Sequence, residues 1–275
     1  MSRRRPMNLI AFGWFVCLSV ASSVLAEEND PEWREFMALG DQSFSHSQYK
    51  MAEENFLEAH RLAKDFPERD LRRAYTAVRI ADVYARDDRR AKARDLYEKA
   101  IDVFTEAQDD GLEHLAYTLK QLADLDSFEG KLSTAIDRYR RSKRILTVLE
   151  QHESDNFTAC QFGIARAERL AGQLTEAEKD FHDILARLKD SQKSPVNTGE
   201  ILAEYANIPW QKGDLPKTDQ LLQEAYRQAC AKRGEMHREV ADILVRRSQL
   251  LAQMHRFDES KKLAERSQFI YRETH

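Results

Sequence analysis

Carboxylates at a fixed interval are the most regular chemistry-bearing feature of this chain. Asp41, Asp82 and Asp124 each follow a large and a small residue, in Leu39-Gly40, Ile80-Ala81 and Leu122-Ala123, and lie 41 and 42 residues apart. Such spacing does not make an acid–base pair, which needs both groups within reach of one substrate. Held in equivalent places by a repeating unit, they would form an acidic ladder that steers a basic segment toward it. Arg79 and Lys120 are close in sequence and can neutralise the same carboxylates, so both readings stay open. No catalytic set stands beside them. The sequence has no Gly-rich phosphate loop, no His-Glu-x-x-His and no Gly-x-Ser-x-Gly. His46, His60, His114, His152, His182, His237, His255 and His275 are scattered, with no pair at metal-binding spacing. The expectation is a protein without cofactor or metal, and not an enzyme.

The elements that must position these residues follow from a second pattern. Ala93-Tyr97-Ala100 places small, aromatic and small side chains on one side of an α-helix, through spacings of four and three. The triplet returns as Ala52-Phe56-Ala59, Ala135-Tyr139-Ser142, Ala177-Phe181-Ile184, Thr218-Leu222-Ala225 and Ser260-Ala264-Ser267. Successive copies, counted from Ala52, are 41, 42, 42, 41 and 42 residues apart. The large-small pair stands 13 residues before each triplet, continuing as Ile164-Ala165 and Tyr205-Ala206 and departing at Arg247-Ser248. Five positions before each triplet is a turn-prone residue, Ser47, Asp88, Gly130, Gly172 or Gly213, with His255 the exception.

This pattern predicts a helical hairpin repeated six times. A small residue on the first helix admits the second, and the aromatic fills the remaining space. One hairpin leaves a side of that core open to water, so neighbours must stack. The predicted helices are 31–45 with 49–65, 73–87 with 90–107, 112–128 with 131–150, 155–171 with 174–189, 197–211 with 215–232, and 236–254 with 257–272. Asp65-Phe66-Pro67-Glu68 and Ser191-Gln192-Lys193-Ser194-Pro195 are breaks, since Pro cannot continue the preceding helix. The period passes undisturbed through the second break, which favours an enlarged loop inside one domain over a boundary. Another helical solenoid of similar period, such as the HEAT type, is the alternative architecture.

Gly213-Asp214-Leu215, Ile80-Ala81-Asp82-Val83-Tyr84 and Tyr97-Glu98-Lys99-Ala100 resemble tetratricopeptide (TPR) repeats. The period exceeds the ~34 residues usual for that family by about seven or eight, roughly one more turn per helix. In this the chain is similar to the long repeats of kinesin light chains. The resemblance covers about residues 31 to 272 and implies an all-α, right-handed α-solenoid of six helix-turn-helix repeats, near 31–67, 73–108, 112–150, 155–190, 197–233 and 236–273. Copies five and six are degenerate, with Pro209 where an aromatic is common and with Thr218 and Ala264 in the triplets.

Composition agrees with helix. The 275 residues include only 9 Gly and 6 Pro, and 33% are charged. Residues 1–26 differ: Arg3-Arg4-Arg5, then an uncharged run from Leu9 to Leu25, then Ala26 before Glu27-Glu28. This reads as a secretory signal peptide cleaved near Ala26, with 27–275 as the solenoid domain and a periplasmic or secreted location. The alternative is a membrane anchor formed by residues 9–25, and membrane contact is expected only if that segment is uncleaved. Removing three arginines and no acid takes the formal charge from -4 to -7. An acidic chain has no excess of Lys and Arg for phosphates, so nucleic acid is not an expected partner. Cys160 and Cys230 fall about two repeats apart, too far to bridge. Asn156-Phe157-Thr158 matches a glycan acceptor at a predicted helix start.

In TPR arrays the first helix of each repeat lines the inner surface, so the resemblance implies a peptide-binding groove there. The residue after each large-small pair would face it: Asp41, Asp82, Asp124, Arg166, Asn207 and Gln249. Phe44, Phe128, Phe162 and Trp210 would supply apolar anchors, unless they pack between first helices. Lys120 alone does not make the Lys and Asn clamp of the chaperone-adaptor members. The expected function is an exported, non-catalytic scaffold or adaptor that binds a protein or peptide partner, with a basic segment if the acidic ladder operates. The alternative is a homo-oligomer formed through Phe257, Leu263, Phe269 and Ile270 of the final copy.

Overall fold

A computed structural model describes residues 30–190 and 198–274. Residues 1–26 and the break at 191–195 lie outside that range. Every regular element among the described residues is a helix. They are α1 (30–45), α2 (Tyr49–Ala63), α3 (Leu71–Arg86), α4 (Arg90–Glu106), a single 3-10 turn (Gln108–Gly111), α5 (Leu112–Phe128), α6 (Leu132–Val148), α7 (Asp155–Leu170), α8 (Leu174–Asp190), α9 (Thr198–Tyr205), α10 (Asn207–Gln211), α11 (Leu215–Arg233), α12 (Arg238–Gln253) and α13 (Phe257–Glu273). The predicted pairs are all present, and their ends agree closely with those expected from the period.

One predicted helix is interrupted. The segment expected as 197–211 is divided at Ala206 into α9 and α10. Pro209 has no N–H to give the Tyr205 carbonyl, so the ladder loses a rung there. It resumes with Trp210 N–H donating to Ala206 at 3.2 Å.

The turn inside each hairpin is built the same way six times. Ser47, Asp88, Gly130, Gly172, Gly213 and His255 all have φ between 57° and 80°. The next residue's N–H returns five positions to a helix carbonyl, as in Lys131 to Asp126 at 2.8 Å and Arg256 to Leu251 at 2.9 Å. This is the Schellman closure, which satisfies carbonyls the helix end would otherwise leave bare. His255 is therefore no exception in backbone terms; it adopts the left-handed conformation at the cost of a Cβ clash that glycine avoids.

The triplets form the seams. All members of the first five are at most 3% exposed. In the sixth only Ser267 is fully buried, and Ser260 and Ala264 are half-buried. Gly40 shows why the first helix needs a small residue: a Cβ there would lie 2.4 Å from the Phe56 ring. Gly163 of α7 meets the Tyr139 ring of α6 in the same way, at 2.5 Å. Each buried aromatic contributes roughly 1.5–3 kcal/mol by leaving water.

The chain divides into two compact units within α5, one ending at Leu125 and the other beginning at Asp126. The core of the first gathers Trp33, Met37, Phe56, Phe66, Ile80 and Val83. The second has one cluster around Phe181, Ile201, Tyr205 and Ile208, and another around Leu222, Ile243, Leu244 and Ile270. Neither Cys160 nor Cys230 is in a disulfide.

Candidate functional site

In the first unit the expected ladder is tied into the protein. Asp82 of α3 is 1% exposed. A buried carboxylate is costly unless its lone pairs are filled, and four donors fill them here. The Tyr97 hydroxyl donates at 2.6 Å, Tyr117 at 2.9 Å, the Gln121 amide at 3.0 Å, and Arg79 donates alongside them. Burial pulls Arg79 down, but Asp82 and Asp41 outweigh it and hold the guanidinium pKa above its usual value. Burial first, and Asp82 second, push the Tyr97 and Tyr117 hydroxyls well above the ordinary tyrosine range. Asp82 thus joins α3, α4 and α5 and does not open to solvent, contrary to its expected place as a groove carboxylate. Asp41 is partly exposed and accepts from Arg79 at 2.8 Å. Asp124 is exposed and paired with Lys120 at 2.9 Å. Lys120 and Arg79 therefore neutralise this row.

The aromatics divide in the same manner. Phe44 is half-buried, edge-on to Tyr49 at 5.5 Å and beneath Arg79 at 5.0 Å. In the second unit Phe162 packs edge-on against Phe181 at 6.2 Å, and Trp210 packs on the core while its indole N–H donates to Gln253 at 2.8 Å. Phe128, at the end of α5, is 65% exposed. Arg166 and Gln249 are exposed, whereas the Asn207 amide turns back to the Glu204 carbonyl at 3.1 Å.

The second unit contains a cleft that the chosen row of residues did not reveal. It lies between α9 and α12, the first helices of the fifth and sixth hairpins, and encloses about 390 Å³. Ala203 and Ile243 form its apolar floor, and Glu200, Glu239, Asp242 and Arg238 line its walls. At one end Glu204 is saturated, receiving Arg169 at 3.1 Å and Arg246 at 2.9 Å. Arg246 also donates to the Ala203 carbonyl at 3.1 Å. At the other end Arg233 stands 4.0 Å from Glu239, and His237 caps α12 by accepting from the Glu239 N–H at 3.2 Å. Asp242 accepts from the Tyr271 hydroxyl. One oxygen of Glu239 is buried with no hydrogen-bond partner. Desolvation first, then the negative charges of Glu239 and Glu204, raise the Glu200 pKa.

The period itself carried a signal for this cleft. Glu204 and Arg246 lie three residues before Asn207 and Gln249, and Glu200 and Asp242 lie seven before them. Offsets of three and seven stay on one helix face, so the face had to be read as a strip, not as one position per repeat. Among the described residues, no group of three or more His, Cys, Asp or Glu is placed to hold a metal ion. No described helix is long and apolar enough to cross a membrane.

These observations define a class, an all-α array of helical hairpins with long repeats, and residues 72–147, from α3 to α6, match the family model of the tetratricopeptide repeat. Three solved structures share the fold. A kinesin light chain from Podosopora anserina with nearly identical TPR-like repeats is 17% identical, with a TM-score of 0.60 over 74% of this chain and 96% of that one. NprR in complex with its cognate peptide NprX is 13% identical, with a TM-score of 0.67 over 93% of this chain and 73% of that one. A Rap protein complexed with competence and sporulation factor is 12% identical, with a TM-score of 0.63 over 88% and 75%. At these identities the likeness carries the fold alone. No curated protein matches the chain in sequence.

Proposed function

We propose that this protein is an exported, non-catalytic scaffold that holds a protein or peptide segment against its first helices. The observation that carries the reading is the open cleft between α9 and α12, floored by apolar side chains and walled by charged ones. Convergent polar groups over an apolar floor are how proteins hold ligands of moderate size. NprR bound to its cognate peptide shares this fold, which supports a peptide or protein as the partner. Export rests on the basic, apolar and small-residue order of residues 1–26.

Photo-crosslinking tests the binding face. A benzophenone side chain at Arg238, on the cleft wall, should trap a partner segment, whereas one at the exposed Lys261 of α13 should not. Equal trapping at both positions, or trapping at Lys261 alone, removes the first helices as the binding face. Mass spectrometry of the protein from its native host tests export: a mature chain beginning at Glu27 is expected, and retention of residues 1–26 would refute cleavage.

Self-association is a second reading with one observation in its favour. Phe257 and Phe269 of α13 are 63% and 48% exposed. Leu263 is half-buried, and Ile270 belongs to the core with 0% exposure, so the available patch is smaller than the four residues suggested. Sedimentation at tens of micromolar distinguishes the two readings, and a monomer there eliminates the dimer.

A further inference from the structure

We propose that Arg187, Thr158 and Gln161 of the fourth hairpin form an anion site that takes a phosphate-class oxyanion. All three depart from the residue types of the third copy. Ten residues after the first member of each triplet stand Leu62, Val103, Ile145, Gln228 and Ile270, where the fourth copy has Arg187. Thr158 of α7 takes the place held in the third copy by Ala116, and Gln161 the place held by Leu119. The three departures meet in space. Arg187 Nη2 donates to the Thr158 hydroxyl at 2.7 Å and to the Gln161 side-chain oxygen at 2.9 Å, and Thr158 is 1% exposed. A half-buried guanidinium in a helical seam is costly unless an opposite charge answers it. Among the described residues no carboxylate lies within ion-pair distance of Arg187. Its Nε is buried without a hydrogen-bond partner, and Nη1, on the exposed side, reaches only the His152 carbonyl, at 3.4 Å. Burial lowers the Arg187 pKa, and the negative charge of Glu153 offsets only part of that shift. Lys143 of α6 is a second cation at the same ring, for its Nζ and the Arg187 guanidinium are each 5.6 Å from the centre of Phe157. Asp180 of α8 lies in the field of Lys143 without an ion pair between them. A guanidinium with an open donor, near an ammonium group, suits an anion that carries several acceptor oxygens. The site shares no lining residue with the α9–α12 cleft.

Calorimetric titration of the full chain with inorganic phosphate, and with acetate at matched ionic strength, tests the site. Phosphate should bind saturably and about tenfold more tightly than acetate, the scale of one charge-assisted hydrogen bond. Thr158→Ala with Gln161→Leu and Arg187→Ile rewrites the trio as the third copy's Ala116, Leu119 and Ile145, a seam this array already packs. That variant should lose phosphate binding while its melting temperature holds or rises. Arg187→Gln, the residue type of Gln228 in the fifth copy, removes the charge alone and should weaken phosphate about tenfold or more. Lys261→Gln with Lys262→Gln takes two positive charges from exposed sites on α13 and should leave binding intact. Equal loss in this control would mean attraction by net charge, and overturns the site. Unchanged phosphate affinity in Arg187→Gln, or no phosphate binding by the native chain, reduces the trio to a polar seam and overturns the proposal. Acetate bound as tightly as phosphate overturns the phosphate class. None of these results bears on the segment-binding reading, which the Arg238 crosslink tests separately.

Discussion

The same strip of first-helix positions is used in opposite ways by the two units. In the first, the positions seven and three residues before the scored row are Tyr75, Arg79, Tyr117 and Gln121. Arg79, Tyr117 and Gln121 converge on Asp82 and, with Tyr97, fill its lone pairs from three helices. In the second unit the equivalent positions are Glu200, Glu204, Asp242 and Arg246. There one ion-pair set closes at Glu204 and the remaining carboxylates line an open cleft. One strip is built as an interior and the other as a surface. Periodic charge along a repeat array therefore does not by itself locate a binding site. What decides is whether donors on neighbouring helices can reach the carboxylate.

The comparison can be broken first at Asp82. Asp82→Ala strips the acceptor from Tyr97, Tyr117 and Gln121 and leaves Arg79 with Asp41 alone, so a loss of about 3–5 kcal/mol is expected in urea unfolding. A loss within the range of ordinary surface changes would show that the first strip is not an interior. The seams come next. Gly40→Ala drives a Cβ into the Phe56 ring and should cost about 1–3 kcal/mol, read as a lowered melting temperature.

A smaller effect is expected at Glu168 of α7, which is 2% exposed and bonded to Arg140 at 2.9 Å through one oxygen, with the other buried and unpartnered. Burial first, then Asp180, raise its pKa. A raised carboxylate pKa favours the fold at low pH and weighs against it once pH climbs through the folded value. Glu168→Gln should therefore stabilise at pH 7, by about 1 kcal/mol on the scale of one unpaired acceptor. The gain should fade as pH drops below ~4.3, the ordinary Glu pKa, where the carboxyl becomes protonated in both states. A gain that grows on acidification would refute this sign. Smallest is His255→Gly, which relieves a positive φ at the last hairpin turn and should add about 0.5–1 kcal/mol by the same unfolding assay.

Most of the helical architecture was legible in the sequence because each seam imposes a steric demand that only certain residues meet. Ala52, Ala93 and Ala177 are at 0% exposure for the reason their size suggested. The turn positions were legible too, including Ser47 and Asp88, since the period marked them even where glycine was missing. The site was less legible. Asp82 reads as an exposed acid in its own helix, and the donors that enclose it come from residues 15, 35 and 39 positions further along. The cleft went unseen because its residues occupy offsets of three and seven from the chosen row, in the two most degenerate repeats. The break at Ala206 follows from Pro209, which lacks the N–H that would bond to Tyr205.

The most direct test reads both strips in one experiment. Carbodiimide labelling of the carboxylates in the full chain, read by mass spectrometry, should modify the exposed Glu200 and Asp242 and leave the buried Asp82 unmodified. Labelling of Asp82 with Glu200 and Asp242 unmodified would contradict the account, because the strip assigned to the interior would then be the open one.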